Sequence, residues 1–226
     1  MPDPVATAVD RSVGPSLPLG RSATVSAVSA LLVVELAILG AYLHVTDTAI
    51  VALRYTLYPF VWINVGAWVL LRRPTVSASS RRRLAAGTLA LGYFLVLAVA
   101  GGLIRHGGMS MPPSVVWLSP GWGPALFYTT EFVHLAVLPF EVVGYAALAV
   151  LVYTLVLSGS RTALAGLLGV ATCVGCLWPV GAAFAAILVG VGSPLASTVP
   201  GVAYDLSTLL FVVTAGALYW ASRRTA

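Results

Sequence analysis

The sequence predicts an all-α fold: a polytopic membrane bundle of six transmembrane helices with both termini cytoplasmic. Three observations carry that expectation. First, the 226 residues are 59% hydrophobic and 8% charged, with mean hydropathy +0.98, whereas a soluble domain carries about 25% charged residues. Such a chain cannot cover its surface with polar groups, so most of it must face lipid. Second, six segments reach the roughly 20 apolar residues that a spanning helix needs; they lie at about 24–45, 49–71, 84–104, 128–157, 162–191 and 202–222. Third, with six spans and the N-terminus inside, Arg11, Arg21, Arg72, Arg73, Arg81, Arg82, Arg83, Arg161, Arg223 and Arg224 all fall on the cytoplasmic side. Only Arg54 and Arg105 fall outside, a strong positive-inside bias.

Residues 1–22 hold Pro2, Pro4, Pro15 and Pro18 with no apolar period, and read as a disordered cytoplasmic tail. The apolar stretch that follows is too long for a cleaved signal peptide and contains Glu35. Residues 23–226 then form a single transmembrane domain in the plasma membrane, with the bilayer as its first partner. The Arg72–Arg83 connection is basic and suited to anionic head groups. The longest outer connection, His106 to about Leu126, carries Gly and Pro turn signals plus Trp117 and Trp122, and reads as a surface loop.

All twelve cations are arginine and none is lysine. That excludes a phosphate-loop lysine, a Schiff base and a lysine general base; any ATPase serving this chain would be a separate protein. The basic net charge reflects membrane topology, and no nucleic-acid partner is expected.

Ionisable groups inside a membrane are costly and mark candidate sites. Glu35 falls near the middle of the first span and Arg54 in the second, where Glu35, protonated or paired with Arg54, could lock the first two helices together. Tyr55, Tyr58 and Trp62 of the second span read as packing and interface residues. On a helical fourth span, Glu131, His134 and Glu141 would fall within about 80° of one another, with Pro139 kinking the helix between them. Glu131-x-x-His134 has the spacing used in carboxylate-bridged metal bundles, but those need two such pairs and the chain has one. Asp205 stands at the outer end of the sixth span.

Soft ligands gather on the outer side. Apart from Met1, the only methionines are Met109 and Met111, in His106-Gly-Gly-Met-Ser-Met. Thioether and imidazole suit Cu(I), and thiolates suit Cu(I) or Zn. Cys173 and Cys176, the only cysteines, stand at i and i+3 in the fifth span, three residues before Pro179. Three readings of the pair stay open: inert buried thiols, which need no special surroundings; thiol–disulfide exchange, which needs an accessible thiolate; and coordination of a soft ion with His134 as a third ligand.

The chain resembles an uncharacterised family of six-helix integral membrane proteins from haloarchaea. The matching features are Ser119-Pro-Gly-Trp-Gly-Pro124, the Val142–Tyr153 stretch, the Cys173–Pro179 motif with its membrane-embedded Cys-x-x-Cys-x-x-Pro, and Tyr204-Asp-Leu-Ser-Thr208. The resemblance implies an archaeal plasma-membrane protein without an assigned activity. The cysteine helix alone is also similar to that of mercury-resistance transporters, which pass a soft ion inward.

The leading expectation is a membrane protein that binds or passes copper on its extracytoplasmic side, in the supply of a respiratory oxidase. His106, Met109 and Met111 would capture the ion, and Cys173, Cys176 and His134 would receive it; no catalytic residue is assigned. The alternatives are a membrane thiol–disulfide oxidoreductase using Cys173 and Cys176, a bis-histidine haem on His44 and His134, and a structural or permease subunit of a larger complex.

Overall fold

A computed structural model describes residues 21–46, 48, 50, 53–158 and 194–225. The expected fifth span, with Cys173, Cys176 and Arg161, lies outside the described residues. The chain divides into two compact units, Met1–Tyr42 and Leu43–Ala226.

The first unit holds most of α1 (Arg21–Thr46). This helix is apolar all round: Leu31, Leu32, Val33, Val34, Leu36 and Ile38 are all exposed. Such a helix is stable in lipid and not in water.

The second unit runs α2 (Leu53–Arg72), α3 (Ser80–Gly101), β1 (Ile104–His106), β2 (Met111–Val116), β3 (Ala125–Thr129), β4 (Val133–Val137), α4 (Pro139–Ser158) and α5 (Pro194–Thr225). α4 is the hub and packs against α2, α3 and α5. Its centre is Trp62 of α2, which stacks on Phe211 of α5 at 4.1 Å between ring centroids. Trp62 also meets Phe140 and Tyr145 of α4 edge-on, and its Nε1 donates to Thr208 Oγ1 at 3.2 Å. The indole thus ties three helices and satisfies its one polar atom, as a buried tryptophan must. Small residues let the backbones approach: a Cβ on Gly144 would collide with the Trp62 ring, and one on Gly66 would lie 2.9 Å from Val143 Cγ1.

Among the described residues, four helical stretches are long and apolar enough to cross a membrane: Ser29–Thr46, Ser80–Gly101, Pro139–Ser158 and Tyr204–Arg224. α2 is helical as expected but, with Arg54, five aromatic residues and an internal Pro59, it is not among them. α3 leaves Leu84, Leu89, Leu91, Leu95, Val96 and Val99 exposed, a surface suited to acyl chains.

The all-α expectation needs correction at residues 104–137. They form a four-stranded antiparallel sheet of order β1-β4-β3-β2, where a surface loop and the first third of the fourth span were expected. The helix begins only at Pro139. A proline with no N–H to donate is favoured in the first turn of a helix, so Pro139 starts α4 and does not kink it. Before it, Phe127, Tyr128, Thr129, Phe132 and Val133 are aromatic and β-branched residues that favour a pleated surface. Glu131 and Phe132 form the tip of the β3–β4 hairpin, closed by Thr130 N–H donating to the Val133 carbonyl at 2.8 Å. Val133 N–H in turn donates to Thr130 Oγ1 at 3.0 Å. An open sheet carries unpaired edge groups that hydrocarbon cannot satisfy, so the sheet is not itself a spanning element.

Candidate functional site

The sheet-bearing end of the second unit gathers most of the described candidate residues. Cross-strand register sets them in rows. Met111 pairs with Thr129, Thr129 with His134, and His134 with Arg105. Directly opposed residues share a sheet face, so Met111, Thr129, His134 and Arg105 form one line across four strands. The face is the more buried one, since Ala125, Phe127 and Ala136 alternate onto it while Leu126 and Tyr128 are exposed. His134 Nδ1 lies 2.7 Å from Thr129 Oγ1, and its ring is 6.2 Å from that of Phe127. The imidazole is therefore held against β3, the strand that separates it from Met111, with Nε2 as its second nitrogen.

The remaining outer ligands are spread out. His106 pairs with Val133, one residue on from Arg105, and so projects from the opposite face to His134. Met109 is 86% exposed in the β1–β2 connection, and Met111 is 60% exposed. The single capture loop expected over His106, Met109 and Met111 is thus divided by strand geometry, with only Met111 in the same cross-strand row as His134. Glu131 sits at the hairpin tip and Glu141 in the first turn of α4, so the shared helical face of Glu131, His134 and Glu141 does not form. Among the described residues no group of three His, Cys, Asp or Glu side chains could hold a metal. Cys173 and Cys176 lie outside the described residues. His44 is exposed in the last turn of α1, and Glu35 is half-buried in the middle of that helix.

Beside the sheet, a second constellation joins α2, α5 and Trp122 of the β2–β3 connection. Arg54 Nη1 lies 3.5 Å from Asp205 Oδ2, and Tyr58 donates its hydroxyl to Asp205 Oδ1 at 2.8 Å. The Arg54 guanidinium also lies 5.0 Å from the Tyr55 ring centroid. Tyr204 meets the rings of Tyr55, Tyr58 and Trp122 at 5.7, 5.2 and 5.2 Å. Arg54 and Asp205, expected in separate spans, are thus one ion pair, and Tyr58 is part of the polar site as well as of the packing. Three buried atoms, Thr56 Oγ1, Glu141 Oε2 and Tyr204 Oη, have no hydrogen-bond partner among the described residues.

The Ser119–Pro124 loop is seated against this constellation. Pro59 cannot donate to the carbonyl of Tyr55, four residues earlier. Trp122 Nε1 donates to that carbonyl at 2.8 Å, replacing the bond that Pro59 removes. Gly121 makes the approach possible: its φ is +88°, and a Cβ there would lie 2.8 Å from Pro59 Cβ. Sequence reasoning left Thr129, Trp122 and Tyr204 out of the candidate set. The missing signal for Trp122 is legible in hindsight, because a proline inside a helix always orphans a carbonyl.

No curated protein and no solved structure matches the chain. A family described as a family of unknown function (DUF7546) matches residues 7–225. With nearly the whole length matched, the chain belongs to that family.

Proposed function

We propose that the protein is a multi-pass membrane protein that captures a soft metal ion, copper(I), on the buried face of its sheet, with His134 and Met111 as ligands. The observation that carries this reading is the hydrogen bond that aims His134. Histidine ligands commonly donate their second ring nitrogen to an oxygen, which fixes the ring and raises the basicity of the ligating nitrogen. On this reading Nδ1–H donates to Thr129 Oγ1, and Nε2 keeps its lone pair for the ion.

Reach and ligand number fit copper(I) and not zinc. The Met111 and His134 backbones stand two strands apart, about 9.5 Å. The imidazole reaches Thr129 on the strand between them, and on this reading the unbranched methionine side chain spans the remainder. A tetrahedral zinc site would need four ligands, whereas a thioether and an imidazole suit the softer ion. Met109 then serves as an exposed first contact, and Cys173 and Cys176 as the next acceptors. On this reading the sheet end faces outward, the arginine-rich end faces the cytoplasm of a haloarchaeal cell, and the ion is destined for a respiratory oxidase.

Copper(I) competition titration of detergent-purified protein tests the reading, carried out in a Cys173→Ser/Cys176→Ser background so that the thiols do not mask the sheet. His134→Ala is expected to abolish binding at this site. Thr129→Val, which removes only the aiming bond, is expected to weaken it by about tenfold, the lower end of what supporting residues contribute. Unchanged affinity in His134→Ala would overturn the assignment.

A further inference from the structure

We propose that the end of the second unit opposite the sheet carries a phosphate-binding site that holds the head group of an anionic membrane lipid between Arg72 and Arg223. A cavity of about 390 Å³ lies there, lined by Arg72, Pro74, Tyr219 and Arg223. It is formed by the ends of two helices, and both are built in the same way. On α2, Trp68 stands one turn before Arg72; on α5, Tyr219 stands one turn before Arg223. Residues four apart share a helix face, so each helix presents an aromatic ring with an arginine one turn nearer its end. The two rings meet at 4.4 Å between centroids, and the Arg223 guanidinium lies 5.9 Å from the Tyr219 ring.

That order of groups matches a lipid at a membrane surface. Tryptophan and tyrosine settle at head-group level, and guanidinium groups one turn further out meet the phosphate. Arginine offers paired N–H donors that fit phosphate oxygens. Basic pockets between spanning helices take phospholipid head groups for the same reason.

Charge accounting points to a ligand from outside the chain. Residues 66–101 hold Arg72, Arg73, Arg81, Arg82 and Arg83, and residues 206–226 hold Arg223 and Arg224; neither stretch contains an aspartate or glutamate. In the second unit the described carboxylates are Glu131, Glu141 and Asp205, at or beside the sheet end. Arginines at helix C-termini do offset the negative end of the helix dipole, but that amounts to about half a unit charge per helix. It leaves most of the positive charge uncompensated.

The test uses full-length protein in neutral detergent and reads bound lipid by native mass spectrometry. Phosphatidylglycerol and phosphatidylcholine are the probes, with and without millimolar inorganic phosphate. Retention of phosphatidylglycerol over phosphatidylcholine is expected, undisturbed by the phosphate. Arg72→Gln/Arg223→Gln should lower phosphatidylglycerol retention by roughly tenfold, while Arg81→Gln/Arg82→Gln removes the same charge and should change it by no more than about twofold. Arg72→Lys/Arg223→Lys keeps the charge and guards against a folding defect; it too should bind less, because lysine lacks the planar fork. Equal loss in both glutamine pairs, or full binding by the lysine pair, would show diffuse attraction and overturn the site. Displacement by inorganic phosphate would overturn the lipid as its occupant.

Discussion

At the scale of single residues, the sheet-bearing end rests on side chains that repair or aim a neighbour. Trp122 supplies the hydrogen bond that Pro59 denies to the Tyr55 carbonyl. A carbonyl left buried and unsatisfied costs about 1–3 kcal/mol. Trp122→Phe is therefore expected to lower unfolding free energy by about that amount. In a Pro59→Ala background, where the restored backbone N–H can donate to the same carbonyl, the loss should shrink; a thermal or denaturant double-mutant cycle measures the difference. Equal losses in the two backgrounds would mean that the indole acts by packing alone. The sequence shows Pro59 and Trp122 plainly, but nothing in it says that two residues so far apart in the chain meet. His134 is a similar case. Its identity marks it as a ligand candidate, whereas its partner Thr129 becomes visible only once β3 and β4 are in register.

At the scale of elements, the apolar helices were legible from composition and length, because a spanning helix needs little more than an uninterrupted apolar run. The sheet was not legible on that basis. Residues 125–137 are apolar enough to read as the start of the helix that follows, and hydropathy cannot tell a strand from a helix in so short a run. The distinguishing features are the aromatic and β-branched content and the position of Pro139. Reading Pro139 as a kink extended the helix backwards over Glu131 and His134 and created a face that does not exist. The helix contacts make a sharper prediction. Gly144 has no room for a side chain because Trp62 fills the space, with ring atom Cζ3 2.9 Å from an added Cβ and Phe211 Cε2 3.2 Å away. Gly144→Ala should displace Trp62 from its stack on Phe211 and cost about 1–3 kcal/mol, the usual range for overpacking. A fall in detergent melting temperature together with a shift in tryptophan fluorescence would show it. Gly92, with nothing within 4 Å of an added Cβ, should accept alanine without loss.

At the scale of the whole molecule, charge and architecture are segregated. Arginines without acidic neighbours in sequence collect around the α2–α3 connection and the end of α5, while the described carboxylates of the second unit lie at or beside the sheet end. On the proposed reading, positive-inside bias orients the chain with the sheet outward. The orientation is testable by single cysteines in the Cys173→Ser/Cys176→Ser background. Ser110→Cys, in the β1–β2 connection, should react with a membrane-impermeant maleimide in intact cells. Ser77→Cys, between α2 and α3, should react only after lysis; the reverse pattern would invert the topology and move the proposed capture site to the cytoplasm. X-ray absorption at the copper K-edge of Cu(I)-loaded protein in that same cysteine-free background tests the proposed copper capture most directly. One imidazole nitrogen and at least one thioether sulfur are expected around the metal, with the sulfur contribution falling in Met111→Leu and the imidazole contribution lost in His134→Ala. A spectrum unchanged in both variants, or protein that does not retain copper(I), would contradict it.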